Sequence, residues 1–208
     1  TPPGFAARNN AFNPSAMKPY LKALFPLLAY SATYGTIWLH ELGHALVYRF
    51  FNCKPNLLDL HVPWHFAAAS PDPLDAECAA GLSAFQSFQA SMGGIAVNML
   101  LAMAVFMLLR RFRTGIWPNW WLNVFVLANL TEAASYLTLS NIRPLGDMIA
   151  VQEFCPALRV PLGMLGLGLV LCIIHFIKQL PAKWRMGLSI YCAVMAACMV
   201  GMRFVFAG

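Results

Sequence analysis

The sequence predicts an all-α, polytopic membrane protein of about five transmembrane helices, and three observations carry that prediction. Of its 208 residues, 60% are hydrophobic and only 11% are charged, where a soluble domain would hold about a quarter charged residues. The mean hydropathy is +0.62 over the whole chain. Apolar stretches of bilayer length alternate with short segments that hold most of the Lys and Arg. One helical bundle accounts for the length, with the lipid bilayer as its solvent. The net charge of +6 comes from cations clustered between apolar spans and not from one basic face, so no nucleic-acid partner is expected.

Residues 1–19 are polar and rich in Pro, Asn and Ala, and read as an irregular arm. The first span covers about 20–51, with Pro26 at its first turn or at a kink. Residues 52–82 form a loop in which Leu58, Leu60 and Val62 alternate with Asp59 and His61. That period of two predicts a short half-buried strand over 57–62, or a re-entrant loop, after the first helix. Asp72, Asp75 and Glu77, among Pro71 and Pro73, read as a solvated turn.

The second span, about 83–109, closes on Arg110, Arg111 and Arg113 and carries the Gly93-Gly94 pair, whose common use is close helix packing. Asn98 lies in the same span, where an amide needs a partner. Trp117, Trp120 and Trp121 anchor the start of the third span, about 117–140, which holds Glu132 and breaks at Asn141-Ile142-Arg143-Pro144-Leu145-Gly146-Asp147. The fourth span, about 160–177, has Gly163, Gly166 and Gly168 for packing and an ordinary histidine, His175. After Lys178, Lys183 and Arg185 a fifth span covers about 186–206. Cys53, Cys78, Cys155, Cys172, Cys192 and Cys198 include no CxxC pair, and three lie in apolar spans as small hydrophobes; no disulfide framework is expected.

The chemistry concentrates in His40-Glu41-Leu42-Gly43-His44. Residues four apart share a helix face, so His40 and His44 can converge on one tetrahedral zinc. Glu41, beside them, is placed to act as general base on a water at the metal. Ionisable groups in so apolar a stretch are functional by default. A catalytic zinc keeps three protein ligands, and the residues leave two candidates for the third, Asp147 and Glu132. His61 and His65 repeat the spacing, but Pro63 between them breaks the shared face, so they are weak candidates.

The order of HELGH, then Gly94-Ile95-Ala96-Val97-Asn98, then Asn141-Ile142-Arg143-Pro144 and an aspartate resembles the site-2 protease family of intramembrane zinc metalloproteases. The likeness covers about residues 24–150. It implies a three-helix metalloprotease core within residues 20–155, with the two helices of 156–208 added to it. It further implies His40, His44 and Asp147 as zinc ligands and Glu41 as catalytic base. Asn98 and Asn141 would support the substrate, and the strand after the first helix would hold it extended. Two departures stand out: Ile95 occupies the place of the family's usual proline, and Leu145-Gly146-Asp147 inverts the usual Leu-Asp-Gly. The activity implied is hydrolysis of peptide bonds in membrane-embedded proteins, in a multi-pass protein of a bacterial inner membrane.

The alternative from another class is an inactive relative that serves as a scaffold or assembly subunit of a larger membrane complex; intact His40, Glu41 and His44 weigh against it. A bis-histidine haem needs ligands from facing helices, which His40 and His44 on one face cannot supply. A transporter would show paired broken helices in matching halves, and none are evident. On orientation two signals disagree. Arg8, Lys18, Lys22, Arg110, Arg111, Arg113, Lys178, Lys183 and Arg185 share one side, against Arg49, Lys54, Arg143 and Arg159 on the other. The positive-inside rule then sets the metal towards the outer face. The resemblance implies the reverse, a metal nearer the cytoplasm, and that is the expectation carried forward.

Overall fold

Helix α1 (Pro19–Phe50) carries the histidine motif. The computed structural model describes residues 19–66, 68–111 and 116–206, so the arm expected over 1–18 lies outside the described residues. On α1 the polar residues Thr33, Thr36, His40, Glu41 and His44 are buried, while Leu24, Leu27, Leu46 and Phe50 are exposed. This is the reverse of a soluble helix. It suits a bundle whose exterior meets lipid and whose polar groups must find partners inside.

A short helix α2 (Ala76–Ala80) follows the loop, then α3 (Ala84–Arg111) and α4 (Ile116–Ser135), which runs on into a π-helical turn at Tyr136–Ser140. After the break come α5 (Met148–Phe154), a 3-10 turn at Pro156–Leu158, α6 (Arg159–Gln179) and α7 (Ala182–Phe206). The long helices thus fall where the apolar stretches predict them. Among the described residues three stretches, Ala84–Arg111, Trp120–Ser140 and Pro156–Gln179, are long and apolar enough to cross a membrane. Val160, Met164, Leu167, Leu171 and Ile174 form an exposed apolar stripe along α6 at helical spacing. An apolar face of that length in a folded chain belongs against lipid, so this is a membrane protein.

Contacts along the helices fix their directions. Trp121 Nε1 donates to Ser31 Oγ (2.9 Å) and Asn129 Nδ2 to Thr36 Oγ1 (3.0 Å), so α1 and α4 run parallel. α3 runs against α1, and the two touch backbone to backbone where Gly43 meets Gly93. A Cβ on Gly43 would lie 2.5 Å from the Gly93 carbonyl oxygen, and one on Gly93 2.6 Å from that of Gly43. α6 packs on α4 and its π-helical turn, with Gly166 pressed against Leu137 and Thr138, whereas Gly168 faces open space. α7 packs mainly on α4.

Two expectations for the loop after α1 are corrected. No β-strand forms over 57–62; among the described residues the only pairing there is a single antiparallel bridge between His61 and Ser70. Pro63, Pro71 and Pro73 lack the N–H groups that a longer ladder would need. The loop does fold back along α1, hung from Tyr34 Oη to Val62 O (2.9 Å) and Tyr30 Oη to Trp64 O (2.7 Å). Tyr34 precedes Phe50 by about 24 Å of helix. Second, Cys53 and Cys78 form a disulfide with Cα atoms 5.3 Å apart. They are 25 residues apart in sequence, and only the return of the loop, with Asp75 N donating to Cys53 O (2.9 Å), brings them together.

At the root of the loop lies Lys54, fully buried. Its Nζ donates to three carbonyl oxygens, of Asp59, Pro71 (2.5 Å) and Pro73 (3.0 Å). Burial pushes the ammonium pKa down, and the carboxylates of Asp59 and Asp72 work against that. In the sequence Lys54 is one more loop charge; in the fold it is the internal strut of the loop.

Candidate metal centre

The i, i+4 spacing on α1 sets His40 and His44 side by side, both buried. Their Nε2 atoms lie 3.1 Å and 3.3 Å from the same carboxylate oxygen, Oδ2 of Asp147. One ligand atom from each of the three residues falls within 4.8 Å of the others, the span of a single coordination shell. Of the two candidates for third ligand, Asp147 is therefore the one brought to the histidines. Glu132 is buried and lines the same cavity as Glu41, but it stands outside that group, as do the exposed His61 and His65.

The hydrogen bonds behind the imidazoles test whether the group fits a metal. Nδ1 of His44 is 2.7 Å from Ala90 O, which can only accept, so Nδ1 carries the hydrogen. Neutral His44 then turns a bare Nε2 lone pair towards a carboxylate oxygen. Two acceptors in contact call for a cation or a proton between them. Nδ1 of His40 lies 3.0 Å from the side-chain amide of Asn98. With the amide oxygen turned to the ring, His40 Nδ1 donates and its Nε2 becomes the second bare lone pair. As placed, Nδ2 faces the ring and the buried Oδ1 has no partner among the described residues; the exchange brings Oδ1 to the ring and turns Nδ2 away from it. Two imidazoles and one carboxylate, each steered from behind, fit a divalent metal with room for a further ligand.

Gly94 provides the room. A Cβ there would lie 2.6 Å from His44 Nε2 and 2.7 Å from His40 Cε1 and Nε2. The glycine pair thus divides its work: Gly93 lets the helices touch, and Gly94 clears the space at the imidazoles. This second role has no sequence signal apart from the resemblance.

Asp147 arrives from a segment that the π-helical turn releases from α4. The ring of Tyr136, in that turn, stacks on the His40 imidazole at 5.0 Å and 8°. Asn141 Nδ2 donates to Arg159 O (2.6 Å), and Gln152 Nε2 donates to both Asn141 O (2.7 Å) and Oδ1 (2.8 Å). Arg159 in turn donates to Ile142 O. Asn141 therefore ties the segment to α5 and α6, while Asn98 touches a histidine directly. Gly146 has a positive φ of 55°, a left-handed turn that glycine adopts without steric cost. The inverted Leu145-Gly146-Asp147 order thus still delivers the carboxylate.

A cavity of about 780 Å³ opens beside this group, with Glu41, His44, Glu132 and Asp147 among its polar walls. The returning loop closes one flank; Phe66 and Ala68 there hold positive φ values of 64° and 56°, a strained backbone that persists only where neighbours impose it. α7 closes the other, where Tyr191 Oη and Thr33 Oγ1 share a hydrogen bond of 2.6 Å. Tyr191 carries no sequence signal, being one aromatic among many in an apolar helix. The chain matches no known protein family, no curated protein and no solved structure.

Proposed function

We propose that the chain is an intramembrane zinc metalloprotease of the site-2 type, a five-span protein with α1 and α7 among its spans. The observation that carries this reading is the convergence of His40, His44 and Asp147 on one point, with Glu41 on the wall of the adjoining cavity. When bound there, zinc would supply Lewis acidity, making water a nucleophile near neutral pH and polarising the scissile carbonyl. His40, His44 and Asp147 would hold the ion, and Asn98 and Ala90 O would fix the two imidazoles. Glu41 takes the proton from the attacking water and passes it to the departing amide nitrogen. The cavity walls exclude bulk solvent and seat a locally unwound stretch of substrate, whose peptide groups must otherwise stay paired in lipid.

The test is Glu41→Gln. Glu41 is a base and not a ligand, so the variant should retain its metal and lose cleavage of a membrane-embedded substrate by at least ~10²-fold. Comparing membrane proteomes of cells with wild-type, Glu41→Gln and no copy gives the readout. Identical fragments in the first two, with a partner complex lost only in the third, would replace the protease by a scaffold.

A further inference from the structure

We infer that the metal centre lies at the non-cytoplasmic, oxidising face of its membrane, so that its substrates are membrane spans whose ends emerge on that face. The inference rests on the membrane-protease reading and reverses the orientation expected from the resemblance. Helix directions place α1's last turn, the two roots of the loop at 52–59 and 71–75, α2 and the segment 141–158 at one end of the bundle. The opposite end carries the α3 terminus and the α6–α7 turn. His44 lies six residues before Phe50, about 9 Å along the helix, so the site belongs to the first of these ends.

Two independent features distinguish the ends. First, the Cys53–Cys78 disulfide lies at the site end, and disulfides form and persist on the oxidising side of a membrane. Second, the ends differ in charge. Arg110, Arg111, Lys178, Lys183 and Arg185 gather at the far end, and no Asp or Glu occurs in 1–39, 104–131 or 178–208. Every acidic residue outside the helices of the site, namely Asp59, Asp72, Asp75, Glu77 and Glu153, lies at the site end together with Asp147.

Five Lys and Arg belong to the site end, Arg143 and Arg203 among them, and the other three are committed to backbone carbonyls. Arg49 donates to Lys54 O (3.1 Å) and Pro55 O (3.2 Å), Lys54 to its three loop carbonyls, and Arg159 to Ile142 O. They serve the fold of that end. By the positive-inside rule the far end is cytoplasmic, and the disulfide says the same of the site end from chemistry unrelated to charge. A peptide reaching the cavity would then come from the non-cytoplasmic end of its span.

The experiment uses the full chain in spheroplasts, with Cys155, Cys172, Cys192 and Cys198 replaced by Ser and a membrane-impermeant maleimide on a polyethylene glycol as probe. Cys53 and Cys78 should gain mass in intact spheroplasts only after treatment with an impermeant phosphine reductant. A cysteine placed by Ala182→Cys in the α6–α7 turn, in the background that also lacks Cys53 and Cys78, should react only after detergent. The wild-type chain, alkylated in the cell and digested without reduction, should yield the joined Cys53–Cys78 peptides, which guards against loss of folding in the substituted chains. Free Cys53 and Cys78 that label only after detergent, with Ala182→Cys open in intact spheroplasts, would overturn the inference. Release of the chain by alkaline carbonate would overturn the membrane reading beneath it. Failure of Glu41→Gln to alter proteolysis would remove the protease and leave the labelling pattern, and so the orientation, standing.

Discussion

The side-chain amide of Asn98 meets Nδ1 of His40 at 3.0 Å, on the side of the ring away from Asp147. Asn98 is fully buried on α3 and His40 on α1, so one helix sets the ring orientation and tautomer of a ligand that the other carries. Asn98→Ala should therefore weaken metal binding by about 10–100-fold, the usual effect of removing a group behind a ligating histidine. Asn98→Asp, which keeps an oxygen for Nδ1–H, should recover most of that loss. Competition against a chelator measures both, and unchanged affinity in Asn98→Ala would show that the ring is held by packing against Tyr136 alone.

Metal content tests the ligand set directly. The purified chain should hold one zinc, and His44→Ala or Asp147→Asn should remove it, while Glu132→Gln keeps it. The contrast follows from the shared contact of Asp147 Oδ2 with both Nε2 atoms. Iron in place of zinc would redirect the chemistry, since two histidines and one carboxylate also suit ferrous iron. Retained metal in Asp147→Asn, with loss in Glu132→Gln, would reassign the third ligand.

Glycine substitutions should separate packing from metal binding. Gly43→Ala drives a methyl into the backbone of α3 and should cost about 1–3 kcal/mol or more of stability. Gly94→Ala meets the imidazoles themselves and should lower metal affinity as well. Gly168→Ala and Gly187→Ala, where a Cβ meets nothing within 4 Å, should change neither. Thermal unfolding in detergent and metal analysis of the same four preparations decide the matter; equal behaviour of Gly94→Ala and Gly168→Ala would refute the role given to Gly94.

Lys54→Met should loosen the loop over the cavity. The substitution leaves the carbonyls of Asp59, Pro71 and Pro73 without their shared donor, at a cost on the order of 1–3 kcal/mol for a buried group left unsatisfied. Limited proteolysis should then cut within 55–75 markedly faster than in the wild type, with the transmembrane helices untouched. A cleavage rate equal to wild type would mean that the disulfide and the tyrosine contacts suffice to hold the loop.

Hydropathy and spacing were enough to determine the helical membrane class, the extents of the long helices, and the pairing of His40 with His44, because each depends on near neighbours in the chain. A four-residue step on a helix is local geometry, and an apolar run shows its length directly. Asp147 versus Glu132 stayed open for the opposite reason: the choice depends on how the chain turns after the π-helical break, through Gly146, Asn141 and Arg159. The strand expected at 57–62 was a period-two pattern without a partner able to complete a ladder. The Cys53–Cys78 bond and the buried Lys54 have no local signal because the loop must first return to α1 before either contact exists. Local periodicity sets what each segment of this protein is; which distant residues meet at the metal centre and at the root of the loop is decided only when the helices pack, since those contacts have no period to read.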